Sequence, residues 1–155
     1  MSSAVLVGLA GCSQATSTTL PDDTVITYSF HDASVPPQYH RSFVITITKE
    51  ETTIVVDSYG DVLAQQAVPT PTQVWNGWGE ALPGVREEPG GSAAGGCVGG
   101  TSSELKVVAS TAVLADVSVD ECGGGGSDAA DRISSWIAPA RSLFPAMDIL
   151  APEGE

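Results

Sequence analysis

The stretch that decides the fold reads Ser42-Phe43-Val44-Ile45-Thr46-Ile47-Thr48-Lys49, then Glu50-Glu51, then Thr52-Thr53-Ile54-Val55-Val56-Asp57-Ser58-Tyr59-Gly60-Asp61-Val62. Phe43, Ile45 and Ile47 fall on one face of residues 42–49, the alternation of a half-buried strand. A short acidic turn separates it from a second strand over 52–59. Gly60-Asp61, between Tyr59 and Val62, is the signal of a two-residue hairpin turn of type I′ or II′. Residues 61–68 return as a weaker strand. Upstream, residues 24–31 alternate as well: Ile26, Tyr28 and Phe30 face one side, and Val25, Thr27, Ser29 and His31 the other. Pro36-Pro37 interrupts any ladder and makes 33–38 a loop. The four strands form an antiparallel meander.

After Pro69 the pattern changes. Thr70 suits a helix N-cap, Pro71 the first helical position, and Gln73 the third position of a capping box. Val74, Trp75, Trp78 and Leu82 recur at helical spacing, and Pro83-Gly84 is expected to stop the helix. Gly77 and Gly79 each cost about 1 kcal/mol against Ala, so packing of the tryptophans must hold this helix. Residues 86–102 read as a linker around Cys97. Its glycines do not make a phosphate loop, which follows a strand and opens a helix. A second hairpin is expected from 105–110 and 113–122, with Val113, Ala115, Val117 and Val119 on one face and Asp116, Ser118 and Asp120 on the other. A last helix spans about 128–144, capped by Ser127. Ile133, Trp136, Ile137, Ala140 and Phe144 form its apolar stripe, with a break just before Pro139.

The order ββββ-α-ββ-α predicts an α+β fold. Its form is a two-layer sandwich, with two helices on one face of a mostly antiparallel sheet of about six strands. A closed barrel with peripheral helices is the alternative. The chain has 155 residues, one domain's length, and 42% apolar residues supply one core. The expected organisation is a signal peptide over 1–11, a tether over 12–20, one domain over 21–150 and a frayed tail over 151–155. Six Lys and Arg stand against 19 Asp and Glu, a net charge of −13. That balance excludes nucleic acid as partner, because phosphate contacts need clustered basic residues. It equally excludes polybasic attachment to a membrane surface.

Residues 4–10, Ala-Val-Leu-Val-Gly-Leu-Ala, are too short to span a bilayer and have the length of a signal-peptide core. They end in Leu9-Ala10-Gly11-Cys12. This tetrad resembles the lipobox of bacterial lipoproteins, although no Lys or Arg precedes the apolar run. Only two Lys and one Asn, beside abundant Ala, Gly and Val, fit a high-GC bacterial source. The resemblance covers the first twelve residues. It implies cleavage before Cys12, acylation of its thiol, and attachment to the extracytoplasmic face of the cell membrane. Two acyl chains suffice for stable anchoring. Ser13-Gln14-Ala15-Thr16-Ser17-Thr18-Thr19 follows as a small, polar tether.

With Cys12 acylated, Cys97 and Cys122 remain as an even pair. An extracytoplasmic location permits a disulfide between them, closing a loop of 26 residues. Neither has a second cysteine two to four residues away, so the spacing suits neither zinc nor a redox CxxC motif.

His31-Asp32 and Tyr39-His40-Arg41-Ser42 flank Pro36-Pro37 and form the densest polar and aromatic cluster. His31, Tyr39, His40 and Arg41 are the candidate binding residues for a small ligand or an envelope protein. The competing structural reading staples this loop to its own sheet, with Arg41 paired to Asp32 or Asp57 and both histidines at the surface. No catalytic residue, cofactor or metal site is assigned. The histidines lack metal-ligand spacing, and no calcium loop appears. A triad of Ser34 or Ser42 with His40 and Asp57 lacks a nucleophile elbow. The neighbouring carboxylates Glu50-Glu51, Glu87-Glu88 and Asp120-Glu121 alternate in direction and build no catalytic pair. Trp75, Trp78 and Trp136 are assigned to the core. The leading expectation is a monomeric, lipid-anchored, non-catalytic binding or assembly module of the cell envelope. A small hydrolase using the His40 region and an inhibitor of hydrolases are the alternatives.

Overall fold

A computed structural model describes residues 19–86, 99–110, 112–121 and 128–154. The expected signal peptide, most of the tether, Ser127 and all three cysteines (Cys12, Cys97 and Cys122) lie outside these residues. The described residues form β1 (Thr24–His31), β2 (Ser42–Ile47), β3 (Glu51–Ser58), β4 (Asp61–Pro69), α1 (Thr72–Arg86), β5 (Thr101–Ala109), β6 (Ala112–Glu121), α2 (Asp128–Arg141) and α3 (Met147–Leu150). The strands make one six-stranded sheet in the order β4-β3-β2-β1-β5-β6. Every pairing is antiparallel. The α+β sandwich read from the pattern is the fold.

Alternation places the core. Ile26, Ile45, Ile47, Ile54, Val56 and Val107 are fully buried, and Leu105, Val117 and Val119 nearly so. α1 packs on α2 and β6, while α2 packs on β6, β5 and β2. β4 ends at one edge of the sheet and β5 lies inside its other half, so α1 carries the chain across the covered face. Trp75, Trp78, Leu82 and Val85 form the buried stripe of α1. Ala130, Ile133, Trp136, Ile137 and Ala140 form that of α2.

The elements depart from the sequence pattern at several points. α1 does not stop at Pro83-Gly84 but continues to Arg86, because Val85 extends the stripe into the core at 4% exposure. Burying a Val is worth about 1.5–3 kcal/mol, comparable with the roughly 3 kcal/mol a helical proline costs. α2 likewise runs unbroken through Pro139, with Ala140 fully buried beyond it, and ends at Arg141 rather than near Phe144. Phe144 still reaches the core from the turn that follows, where its N–H donates to Arg141 O at 3.3 Å. Thr70 does not cap α1. Its hydroxyl donates to Thr48 O and meets Thr52 Oγ1, both at 2.8 Å, and the first helical bonds reach Pro71 O. β5 begins at Thr101, four residues earlier than its apolar pattern, because its first residues pair with Asp120 and Glu121 of β6.

Two irregularities reset register. The β3–β4 turn is Tyr59-Gly60, not Gly60-Asp61, since Ser58 pairs with Asp61. Both turn residues have positive φ, 52° and 94°, the type I′ requirement. Pairing then steps from Asp57–Val62 to Val56–Ala64, leaving Leu63 as an extra residue. In β6, Leu114 is extra in the same way and packs against the core. Val113 therefore leaves the buried face and is 57% exposed. Both ends of the domain are also tied down beyond expectation. Leu20, placed in the tether, is 3% exposed, and Ala151, placed in the tail, is 3% exposed.

Candidate functional site

The loop between β1 and β2 is fastened to the sheet along its length. Tyr59 donates its hydroxyl to Val35 O (2.6 Å), Ser58 to Pro37 O (2.8 Å), and Gly154 N–H donates to Gln38 O (3.3 Å). Asp32 turns inward: Oδ1 accepts from Ala33 N and Oδ2 from Arg41 N, both at 2.8 Å. Its own N–H donates to Ser42 Oγ at 3.0 Å. The loop is stapled, as the competing structural reading has it, but by other partners than Arg41 with Asp32 or Asp57.

Among the described residues the Arg41 side chain pairs with no carboxylate. Nε donates to Ala151 O (2.8 Å), Nη1 to His40 O (2.6 Å) and Nη2 to Pro152 O (2.5 Å). The guanidinium is thus a clamp on backbone carbonyls that close the C-terminal segment against the β1–β2 loop. Arg41 is only 9% exposed.

His40 lies in the interior instead of at the surface, at 5% exposure. Its ring stacks on Tyr59 with centroids 3.9 Å apart and planes at 21°. Tyr59 N–H donates to Nδ1 (3.3 Å), which assigns the ring hydrogen to Nε2, directed at Ser42 Oγ (3.3 Å). This tautomer is the reverse of what a serine hydrolase needs, where Nε2 must accept the serine proton. Asp57, the third member of that triad, accepts from Gly60 N–H instead. The structure brings Ser42 and His40 together and keeps Asp57 and Ser34 out of the arrangement. Of the four candidate binding residues, His40 and Arg41 are interior and only His31 and Tyr39 are exposed. Among the described residues no group of three His, Cys, Asp or Glu could hold a metal ion.

Comparisons of the chain with protein-family models, with curated proteins and with solved structures find no match.

The sequence pattern missed a second feature, on the α1–α2 seam. Trp78 donates its indole N–H to Trp136 O at 3.0 Å, and the two rings tilt at 45° with centroids 6.2 Å apart. Both tryptophans belong to the core, as assigned. Their outer edges also border a groove of about 360 Å³ with Gln73, Val74, Gly77 and Pro139. A second recess of about 310 Å³ shares Ala81, Ser135 and Trp136 and continues past Gly84, Val85 and the charged Arg132. The signal legible in the sequence was Gly77, a penalty inside the expected helix; Gly84, read there as part of the helix stop, lies inside α1 seven residues further on.

Proposed function

We propose that this protein is a lipid-anchored module of the bacterial cell envelope that acts by binding and not by catalysis. The anchor reading rests on one observation, the tetrad Leu9-Ala10-Gly11-Cys12 followed by a polar tether. From Cys12 to Leu20, which is already anchored in the core, is eight residues, a reach of at most about 29 Å when extended. The domain can stand clear of the headgroups on that length. Non-catalytic action is supported by the way the polar cluster around His40 is spent: His40, Arg41, Ser42 and Asp32 all hold the fold together. Among the described residues no helix is long and apolar enough to cross a membrane, so Cys12 carries the attachment in this reading.

Fractionation of a bacterial host producing the full chain tests the anchor. The protein is expected in the membrane fraction and to resist a high-salt wash, since acyl chains are indifferent to ionic strength. Cys12→Ser is expected to move it out of that fraction. A Cys12→Ser chain that stays in the membrane would overturn the anchor.

A further inference from the structure

We infer that β4 is an interface between two copies of this chain, which pair their β4 strands antiparallel across a two-fold axis centred on Gln66 and join two six-stranded sheets into one. The dimer takes the place of the monomer expected from the sequence. The inference needs no part of the lipid anchor proposed above.

The first observation is an edge left open. Among the described residues no strand lies beyond β4, and all of β4 except Ala64 and Val68 is exposed. Val62 and Leu63 are 62% and 44% exposed. An open edge is a template for another strand, and proteins blunt theirs with charge, proline or a bulge. β4 carries such devices only at its ends, with Asp61 and the extra Leu63 at one and Pro69 at the other. Ala64-Gln65-Gln66-Ala67-Val68 between them has no charge and no proline. The opposite edge of the sheet, β6, is guarded by Asp116, Asp120 and Glu121.

The second observation is the direction of the backbone groups. Thr70 N–H donates to Glu50 O at 3.0 Å, one step past the Glu51–Pro69 end of the β3–β4 pairing. Hydrogen-bonded pairs recur at every second residue of an antiparallel ladder. Thr52–Val68, Ile54–Gln66 and Val56–Ala64 are therefore the bonded pairs, and Ala64, Gln66 and Val68 spend their amides on β3. Gln65 and Ala67 direct N–H and C=O outward. Pro69 shares their phase and fits an edge strand, because the N–H it lacks would face outward.

The third observation is self-complementarity. With the axis at Gln66, Gln65 of each copy lies opposite Ala67 of the other, and the two exchange their outward N–H and C=O groups. Gln66 faces its own counterpart, and Ala64 faces Val68. Ala64 and Val68 both pack against the core, so the apolar face of one sheet continues into the next. The axis stands perpendicular to the sheet and keeps both helical layers on one side. α1 and α2 pack on β6, β5 and β2, which leaves the seam to the strands. Charge selects a second copy over a charged peptide. Two chains of net charge −13 need an approach free of carboxylates, and β4 from Val62 to Val68 is one. That stretch holds no charged side chain to select a charged peptide, whereas it matches itself on both sides of the axis.

Sedimentation equilibrium of the full chain carrying Cys12→Ala, which cannot be acylated, tests the interface. A reversible monomer–dimer equilibrium is expected. It should tighten as salt is raised, because screening weakens the repulsion between two acidic copies. It should stop at two, because an isologous interface closes. Ala67→Pro removes one outward N–H and no bond to β3, and is expected to weaken association by about tenfold or more with the circular dichroism unchanged. If Ala67→Pro fails to fold, Gln66→Lys gives the same answer. It sets like charges opposite each other at the axis while lowering the net charge of each copy, and should weaken association by about tenfold as well. Asp120→Lys on β6 also lowers the net charge and should not weaken it. A monomer at every concentration up to about 0.5 mM, growth beyond a dimer, undiminished association of folded Ala67→Pro or Gln66→Lys, or equal weakening by Asp120→Lys would each overturn the inference. None of these outcomes touches the membrane fractionation of the Cys12 variants, so the anchor stands or falls separately.

Discussion

Arg41→Ala is the perturbation that most sharply tests how this domain is closed. The side chain supplies three hydrogen bonds, to the carbonyls of His40, Ala151 and Pro152. Its removal strands two buried acceptors, since His40 and Ala151 are 5% and 3% exposed. Each stranded acceptor costs about 1–3 kcal/mol. Pro152 is exposed, and its carbonyl can turn to water. Releasing a buried guanidinium from the interior returns part of the loss. The net expectation is about 3 kcal/mol of lost stability. For a domain of this size that lowers the melting temperature by about 10 °C. Thermal unfolding followed by circular dichroism measures it. Hydrogen exchange localises it: the amides of Leu150 and Ala151, which donate to Ala146 O and Met147 O, should lose protection first. Arg41→Lys should recover only part of the loss, because one ammonium cannot meet three carbonyls around a planar fork. A melting temperature within about 2 °C of the unsubstituted chain would refute the clamp.

His40→Phe keeps a ring against Tyr59 but removes both ring-nitrogen bonds. Urea unfolding should show about 1–2 kcal/mol of destabilisation from the stranded Tyr59 N–H. Trp78→Phe removes the donor to Trp136 O. It should cost about 1–3 kcal/mol and weaken the near-ultraviolet circular dichroism of the tryptophan pair. β5–β6 register pairs Thr101 with Glu121, so the chain leads toward Cys97 and Cys122 from the same end of one hairpin. A disulfide between them predicts two fewer thiols in the unreduced protein and a loss of about 3 kcal/mol on Cys97→Ser.

Much of the sheet was legible because its signal is local. Ile26, Tyr28, Ile45, Ile47, Ile54 and Val56 alternate along single strands, and each lies in the core where alternation puts it. What was hidden depends on contacts distant in sequence. Val85 and Ala140 draw their helices past Pro83 and Pro139, and nothing near those prolines announces it. Leu63 and Leu114 shift register by one residue, which a period of two cannot anticipate. At the loop between β1 and β2 the right residues stood out, but their partners did not. Arg41 binds carbonyls 110 and 111 positions away, and a backbone acceptor leaves no mark in side-chain identity. At the helix seam the mark was present: Gly77 registers in the sequence as a helix penalty, and only the empty space beside it shows what the penalty leaves open.

The central claim is that this domain works from a lipid anchor at Cys12. The most direct test is the intact mass of the protein extracted from the membranes of a bacterial host. The account predicts a chain that begins at Cys12 and carries the added mass of a diacylglyceryl group. A mass that retains residues 1–11, with an unmodified thiol at Cys12, would contradict it.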